Sequence, residues 1–205
     1  VSSDWSGGIN SYTSFINGNF AVVRDWYKGQ LGKTFNLLGA VIYRSPLTSA
    51  QLSSKYPGMQ TGLWFDGLKE AMIANGGDVC DVHFVNYFVT PLDNVTGGAA
   101  GLEYLGCTNI LSGTASIPGH MGRLIGGINA PNWHEWWADE VSEAQGGVAH
   151  ELGHIFGASC EGGKCDMLPH SQAPSIMYSW WDFAKGGNFN EGEKAKILKS
   201  SFGSY

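Results

Sequence analysis

Apolar residues in the first third of the chain recur at spacings typical of helices, and glycine or proline ends each run. Residues 15–32 have this spacing and finish at Gly32, which predicts a helix. Residues 47–58 predict a short helix that stops at Pro57. Residues 61–77 begin at a threonine that can cap a helix and finish at a Gly-Gly pair, so a third helix is expected there.

Strand-forming residues dominate four other segments. Residues 34–45 are rich in β-formers, and residues 78–90 alternate apolar with polar positions most clearly. Residues 99–110 and 122–129 predict further strands at a sheet edge. A helix over 142–157 follows, and residues 191–201 predict the last helix, with Asn190 as its cap.

This order of elements predicts an α+β fold in a single domain. The upper lobe, about residues 1–157, would hold a mixed twisted sheet and helices. The lower lobe, about residues 158–205, would be smaller and rich in loops. A length of 205 residues suits one domain, and 30 glycines favour many turns over a helical bundle.

Composition and charge argue against some classes of binding partner. The formal charge is −6, and no cluster of lysine and arginine is present, which argues against nucleic-acid binding. No apolar run approaches the roughly 20 residues of a membrane span. We expect a monomer.

The cysteines favour an extracellular protein. Cys160 and Cys165 enclose a short loop and are expected to pair, which leaves Cys80 with Cys107. The chain begins Val-Ser-Ser-Asp, which we interpret as a mature or trimmed form. Asn94 lies in a glycosylation sequon, Asn-Val-Thr.

The pattern His-Glu-x-x-His predicts a metal site on the helix over 142–157. His150 and His154 are four residues apart, so both imidazoles lie on one helical face and can share a tetrahedral zinc ion. Glu151 is offset from that row, and its carboxylate can reach a water on the metal. Gly157 provides the sharp stop that the chain needs to turn back. The opposite, core-facing stripe comprises Val141, Ala144, Val148, Leu152 and Ile155.

A catalytic zinc ion usually has three protein ligands and one water. The candidates for the third ligand are Cys160, Asp166, His170 and a distant glutamate. A Cys160 thiolate would weaken the power of the metal to acidify water and would leave Cys165 unpaired.

The segment that begins at His170 resembles the metzincin clan of zinc endopeptidases. In its matrixin-like members, the third histidine is followed by Ser, a Pro and a small-apolar-Met-Tyr string. The matching residues here are His170, Ser171, Pro174, Ser175, Ile176, Met177 and Tyr178, with the spacing one residue shorter. The resemblance covers residues 147–178.

One departure from the clan pattern stands out. Cys160 occupies the place of the usual third histidine, so residues 158–169 are interpreted as an insertion that delays His170. Members of the leishmanolysin type also delay the third histidine. The gluzincin alternative would use Glu191 or Glu193 as the ligand and leaves the Ser-Ile-Met-Tyr string without a role.

The resemblance implies how the site would work. His150, His154 and His170 would bind Zn²⁺, and Met177 would form the Met-turn beneath it. Glu151 would assist attack of a zinc-bound water on a peptide bond. Tyr178, Trp180 and Trp181 would shape the substrate pocket, although the two tryptophans also fit a lower-lobe core. The substrate would add as a strand to a sheet edge, for which residues 101–106 are the candidate.

Other polar residues are assigned structural roles. His83 is expected to be a hydrogen-bonded residue in its strand, and His120 a loop residue. His134 is expected to lie at the rim of the cleft or at the start of a helix. Asp93, Asp139 and Glu140 could help to hold a structural Ca²⁺, but no recognisable calcium loop is present.

The predicted function is thus a secreted zinc-dependent endopeptidase acting on proteins or peptides. Two alternatives remain: a catalytically silent metzincin-like binding module, and a zinc amidase acting on a non-peptide amide. The presence of Glu151 argues against the silent module, because silent relatives often lose this residue.

Overall fold

A computed structural model describes part of the chain, and the helices and strands below lie within that part. The described residues are 1–4, 9–37, 39, 42–56, 70, 73–74, 84–88, 100–104, 112–118, 140–158, 175–177, 183 and 185–199. The helices are α1 (Ile9–Leu31), α2 (Ser49–Lys55), α3 (Glu140–Ile155) and α4 (Glu191–Lys199). The strands are β1 (Phe84–Phe88), β2 (Ala100–Tyr104) and β3 (Ser112–Pro118).

Helix α1 is longer than the sequence predicts. It begins at Ile9 instead of residue 15, because no glycine or proline between Ile9 and Phe15 stops it. Its end is as predicted. The amide of Gly32 donates to the Lys28 carbonyl at 2.9 Å, and Gly32 has a φ of +69°, which closes the last turn.

The prediction of a strand over 34–45 is wrong for the described residues of that segment, none of which lies in a strand. Its described backbone hydrogen bonds go to the chain start. The amino group of Val1 donates to the Tyr43 carbonyl at 2.8 Å, and the Ser45 amide donates to the Val1 carbonyl at 2.9 Å. These bonds do not repeat along the segment as a regular ladder would.

The short helix α2 confirms the prediction for residues 47–58. The Thr48 hydroxyl accepts from the Gln51 amide at 3.2 Å, and the Gln51 side chain accepts from the Thr48 amide at 2.9 Å, which together form a capping box. The helix ends at Lys55, two residues before Pro57.

Only three residues of the predicted helix 61–77 are described, and all three are helical: Glu70, Ile73 and Ala74. The Glu70 carboxylate accepts hydrogen bonds from Lys55 at 2.5 Å, from Tyr43 at 3.0 Å and from Tyr56. Glu70 therefore links this segment to α2 and to the non-helical stretch around Tyr43 that precedes α2.

The three described strands form one mixed sheet in the order β1-β3-β2. β1 runs parallel to β3, from Phe84 opposite Thr114 to Phe88 opposite Pro118. β2 runs antiparallel to β3, from Ala100 opposite Ser116 to Tyr104 opposite Ser112. β1 and β2 lie inside the predicted segments 78–90 and 99–110. The segment 122–129 lies outside the described residues.

The central strand of this sheet was not among the predicted strands. β3 reads Ser-Gly-Thr-Ala-Ser-Ile-Pro, with small side chains, a single large apolar residue and no clear alternation. A strand of this kind is set by pairing on both sides, which a local pattern does not report.

Helix α3 occupies the centre of the described residues, since it contacts β2, β3 and α1. The buried core comprises Val23, Tyr27, Val148, Ala149, Leu152, Phe156, Ala158, Ile176, Met177, Phe189 and Ile197. The Tyr27 hydroxyl donates to the Ala149 carbonyl at 2.8 Å, and the Tyr27 ring makes edge contacts with Phe156 and Phe189. α1 therefore fixes the position of α3 at the residue before His150.

Among the described residues, no helix is both long enough and apolar enough to span a membrane. The two-lobed metzincin-like architecture and the boundary near residue 157 stay predictions.

Candidate metal centre

The two histidines and the glutamate of α3 come together as their spacing predicts. The Nε2 atoms of His150 and His154 are 3.1 Å apart, and their ring centroids are 4.7 Å apart. One donor atom from each of His150, Glu151 and His154 lies within 4.8 Å of the others. This is a compact group of imidazole and carboxylate donors on one helix.

The spacing of the two nitrogens fits a shared zinc ion. Two imidazole nitrogens about 2.0–2.1 Å from one tetrahedral zinc are about 3.3 Å apart. The observed 3.1 Å is close to that separation. The donor set also suits zinc, which favours imidazole ligands.

The ring orientation of His150 is fixed from outside the helix. Its Nδ1 lies 3.0 Å from the carbonyl oxygen of Ile176. A carbonyl only accepts, so Nδ1 carries the proton and Nε2 has the lone pair that a metal needs. The tautomer thus follows from the hydrogen bond.

The site is largely buried. The side chain of His150 is 15% exposed and that of Glu151 is 7% exposed. Burial, together with the nearby His150 imidazole, lowers the pKa of His154 to about 4. His154 is therefore neutral near pH 7 and can act as a ligand without first losing a proton to solvent.

Glu151 lies beside the imidazole pair without a direct hydrogen bond to the nearer ring. Its Oε1 is 3.9 Å from His150 Nε2, beyond hydrogen-bond distance. The carboxylate is nevertheless close enough to belong to the possible ligand group, so the geometry permits either a ligand or a base.

Of the predicted core-facing stripe, Val148 and Leu152 are buried as expected. The side chains of Val141, Ala144 and Ile155 are outside the described set. Ala149 and Glu151, which do not belong to the stripe, are buried too. α3 is therefore enclosed on more than one face, and the ligand face is not an open surface.

The end of α3 confirms the role predicted for Gly157. Its φ is +84°, its amide donates to the His154 carbonyl at 3.1 Å, and the Ala158 amide donates to the Gly153 carbonyl at 2.8 Å. This pair of bonds is a Schellman motif, which reverses the chain direction. The helix thus ends with a chain reversal at Gly157 and Ala158, three residues after His154.

Met177 lies against α3 between the two histidines. A Cβ placed on Gly153 would clash with Sδ of Met177, would lie 3.1 Å from its Cε and would lie 3.4 Å from Phe189. Met177 is 1% exposed. Gly153 is the residue that permits this close approach, and the role of Met177 as a Met-turn stays a prediction.

The segment 175–177 is held by the residues around α4. The Ile176 amide donates to the Asn188 carbonyl at 2.7 Å. The Ser175 hydroxyl lies 2.8 Å and 2.7 Å from the two carboxylate oxygens of Glu193, and it accepts from the Met177 amide at 3.1 Å. These bonds fix the backbone that carries the Ile176 carbonyl.

The two glutamates of the gluzincin alternative have other partners. Glu193 accepts from Ser175 and from the Asn190 amide at 2.8 Å, while Asn190 caps α4 as predicted by accepting from the Glu193 amide at 2.9 Å. Burial raises the pKa of Glu193, and its hydrogen bonds oppose that rise. Glu191 is 90% exposed and pairs with Lys194 at 2.9 Å.

Many predicted site residues lie outside the described residues, so their predictions stand as made. They are Cys80, His83, Asp93, Asn94, Cys107, His120, His134, Asp139, Cys160, Cys165, Asp166, His170, Tyr178, Trp180 and Trp181.

The supporting contacts of the site were not predicted from the sequence. Tyr27, Gly153 and Ser175 each contact it through one hydrogen bond or one close approach. Gly153 had a local signal, because a glycine in a helix interior disfavours the helix unless a neighbour needs the space. Tyr27 had none, since Ala149 is distant in sequence, and the string that contains Ser175 does not indicate its bond to Glu193.

No protein-family model, curated protein or solved structure matches this chain. The resemblance to metzincins therefore rests on residues 147–178 alone.

The close approach of Met177 predicts that Gly153→Ala destabilises the protein. We expect a loss of about 1–3 kcal/mol in the free energy of unfolding from overpacking, although alanine favours a helix by about 1 kcal/mol. Urea unfolding measures it. Gly18→Ala in α1 is the matched control, because its Cβ meets nothing within 4 Å and should leave stability unchanged or raise it. Equal effects of the two substitutions would contradict the contact.

The lowered pKa of His154 predicts that the chelator-treated protein loses stability as pH falls from about 6.5 to about 4. In this window the unfolded chain takes up a proton at His154 and the folded chain does not. A difference of two to three pKa units corresponds to about 3 kcal/mol. Urea unfolding at several pH values measures the slope, and His154→Gln should reduce it. An unchanged slope in that variant would assign the effect to another group.

Proposed function

We propose that this protein is a secreted zinc-dependent endopeptidase that hydrolyses peptide bonds in proteins or peptides. The observation that carries the proposal is the pair of His150 and His154 Nε2 atoms at 3.1 Å with the buried Glu151 carboxylate beside them. The left-handed turn at Gly157 and the position of Met177 support it, because the same residues carry the metzincin resemblance.

His150, His154 and His170 would hold the metal. When bound, Zn²⁺ supplies Lewis acidity, which lowers the pKa of water toward about 7 and polarises a carbonyl group. The hydrogen bond from His150 Nδ1 to the Ile176 carbonyl supports this assignment, because metal-ligating histidines usually donate their second ring N–H in this way.

Glu151 would move the proton. Its carboxylate would accept the proton of the attacking water and then deliver it to the nitrogen of the leaving amine. The low exposure of the side chain and its place beside the imidazole donors support a role as base, since a buried carboxylate close to the donors can meet water held there. No covalent intermediate on the protein is required.

The substrate would bind along β2. This strand ends the described three-stranded sheet and contacts α3, which carries the metal ligands. An extended peptide added to such a strand would run past the site by β-augmentation. The proposal includes a pocket lined by Tyr178, Trp180 and Trp181, and disulfides Cys160–Cys165 and Cys80–Cys107.

We expect Glu151→Gln to retain zinc and lose hydrolysis. Removal of a general base typically lowers the rate by about 10²–10⁴-fold, while the imidazole ligands are unchanged. The measurement is cleavage of an unfolded protein substrate, with metal content determined on the same sample. Glu191→Gln is the matched control, because Glu191 is exposed and is expected to leave the rate unchanged.

A zinc-loaded wild-type protein that cleaves no peptide bond would contradict the endopeptidase proposal. Cleavage of non-peptide amides alone would favour the amidase, and no cleavage of either class would favour the binding module.

The identity of the third ligand is tested by His170→Ala against Cys160→Ser/Cys165→Ser. We expect the first variant to lose zinc on dialysis and the second to keep it, because His170 is the proposed nitrogen ligand. Substitution with Co²⁺ gives a second measurement, since a thiolate ligand produces a charge-transfer band that imidazole ligands do not. Such a band in the wild type would replace His170 by Cys160.

A further inference from the structure

A continuous set of hydrogen bonds links the first turn of α4 to the candidate metal ligand His150. Glu193 of α4 accepts from the Ser175 hydroxyl at 2.8 Å and 2.7 Å. Ser175 accepts in turn from the Met177 amide at 3.1 Å. Ile176, between these two residues, accepts from His150 Nδ1 at 3.0 Å. The link ends on the ring that offers Nε2 to the metal.

The Ser175–Glu193 pair has the properties of a fixed connection. Ser175 is 5% exposed, so its hydroxyl does not exchange readily to bulk water. The hydroxyl oxygen lies within hydrogen-bond distance of both carboxylate oxygens. A carboxylate acceptor makes this bond stronger than a bond between two neutral groups.

The position of the Ile176 carbonyl decides the orientation of the His150 ring. Rotation about the bond to an imidazole ring is broad and weakly restricted in the absence of contacts. The bond from Nδ1 selects one orientation and one tautomer, in which Nε2 is 3.1 Å from its counterpart on His154. Movement of the carbonyl would release both restraints.

We infer that Glu193 is a positioning residue, which acts through Ser175 on the Ile176 carbonyl and thereby orients His150 for metal binding. The part of this inference that concerns metal affinity rests on the proposed function. The part that concerns the orientation of His150 does not, because it is a property of the protein without metal.

Glu193 also completes the capping box of α4 with Asn190. Its removal therefore breaks the link to Ser175 and the cap of α4 at the same time. The two roles are separated by a pair of variants. Ser175→Ala removes the link to the Met177 segment and leaves the Asn190–Glu193 box in place. Asn190→Ala removes the side-chain cap and leaves Ser175 bonded to Glu193.

The first measurement uses the full chain treated with chelator. The ¹H–¹⁵N signal of the His150 ring reports the Nδ1–H bond to Ile176, and we expect Ser175→Ala to shift or broaden it. We expect Asn190→Ala to leave it at the wild-type position while lowering the melting temperature. An unchanged signal in Ser175→Ala would overturn the inference, whether or not the wild type binds zinc.

The second measurement is the affinity for Zn²⁺ and Co²⁺ by competition with a chelating dye. We expect Ser175→Ala to bind about tenfold more weakly, at the lower end of the loss typical of outer-shell partners, and Asn190→Ala to match the wild type. Equal affinities for Ser175→Ala and Asn190→Ala would overturn the effect on the metal. A wild type without affinity would overturn the proposed function instead, and the ring signal would still decide the positioning role.

Should Ser175→Ala fail to fold, Glu193→Gln and Glu193→Ala provide the same comparison. Glutamine keeps one acceptor oxygen for Ser175, so we expect an affinity between those of the wild type and Glu193→Ala. Glu191→Ala is the control, because it removes a carboxylate from the same turn that contacts Lys194 and not Ser175. If Glu193→Ala matched Glu191→Ala in both measurements, Glu193 would have no positioning role.

Discussion

The hydrogen bond between His150 Nδ1 and the Ile176 carbonyl joins two segments that are 26 residues apart, and the rest of the site depends on it. It sets which nitrogen of His150 is protonated, and it brings Met177 against the helix at Gly153. The two segments that this bond joins are each held in place by other contacts. Tyr27 holds α3 at Ala149, and Glu193 with Asn188 holds the other segment. A single bond of this kind contributes little free energy, so its value lies in orientation.

Burial shapes the electrostatics of the same region. The imidazole of His154 is neutral near pH 7 because burial lowers its pKa. Tyr27 is fully buried, and its pKa is raised by burial, by Glu151 and by Glu193. The two carboxylates therefore act on a common neighbour although they belong to different helices. A divalent cation bound at the histidines would offset the cost of burying Glu151, so we expect metal binding to stabilise the folded chain.

The parts of this molecule that local patterns predict are those with local causes. The cap at Thr48, the cap at Asn190 and the reversal at Gly157 follow from the residue at one position and its neighbours within one turn. The donor geometry of His150 and His154 follows from helical spacing. β3 depends on pairing with two other strands, and residues 34–45 depend on the chain start, so neither was predictable from its own pattern.

Gly153 and Glu193 are locally unfavourable residues near the candidate site, and both contact residues 175–177. Gly153 costs α3 about 1 kcal/mol relative to alanine. The carboxylate of Glu193 is partly buried, and burial raises its pKa. An exposed carboxylate at the same position would complete the cap of α4 equally well without this cost. Each choice is explained by a contact with residues 175–177: Gly153 admits Met177, and Glu193 holds Ser175. Helix stability alone requires neither contact, and both converge on the segment that orients His150.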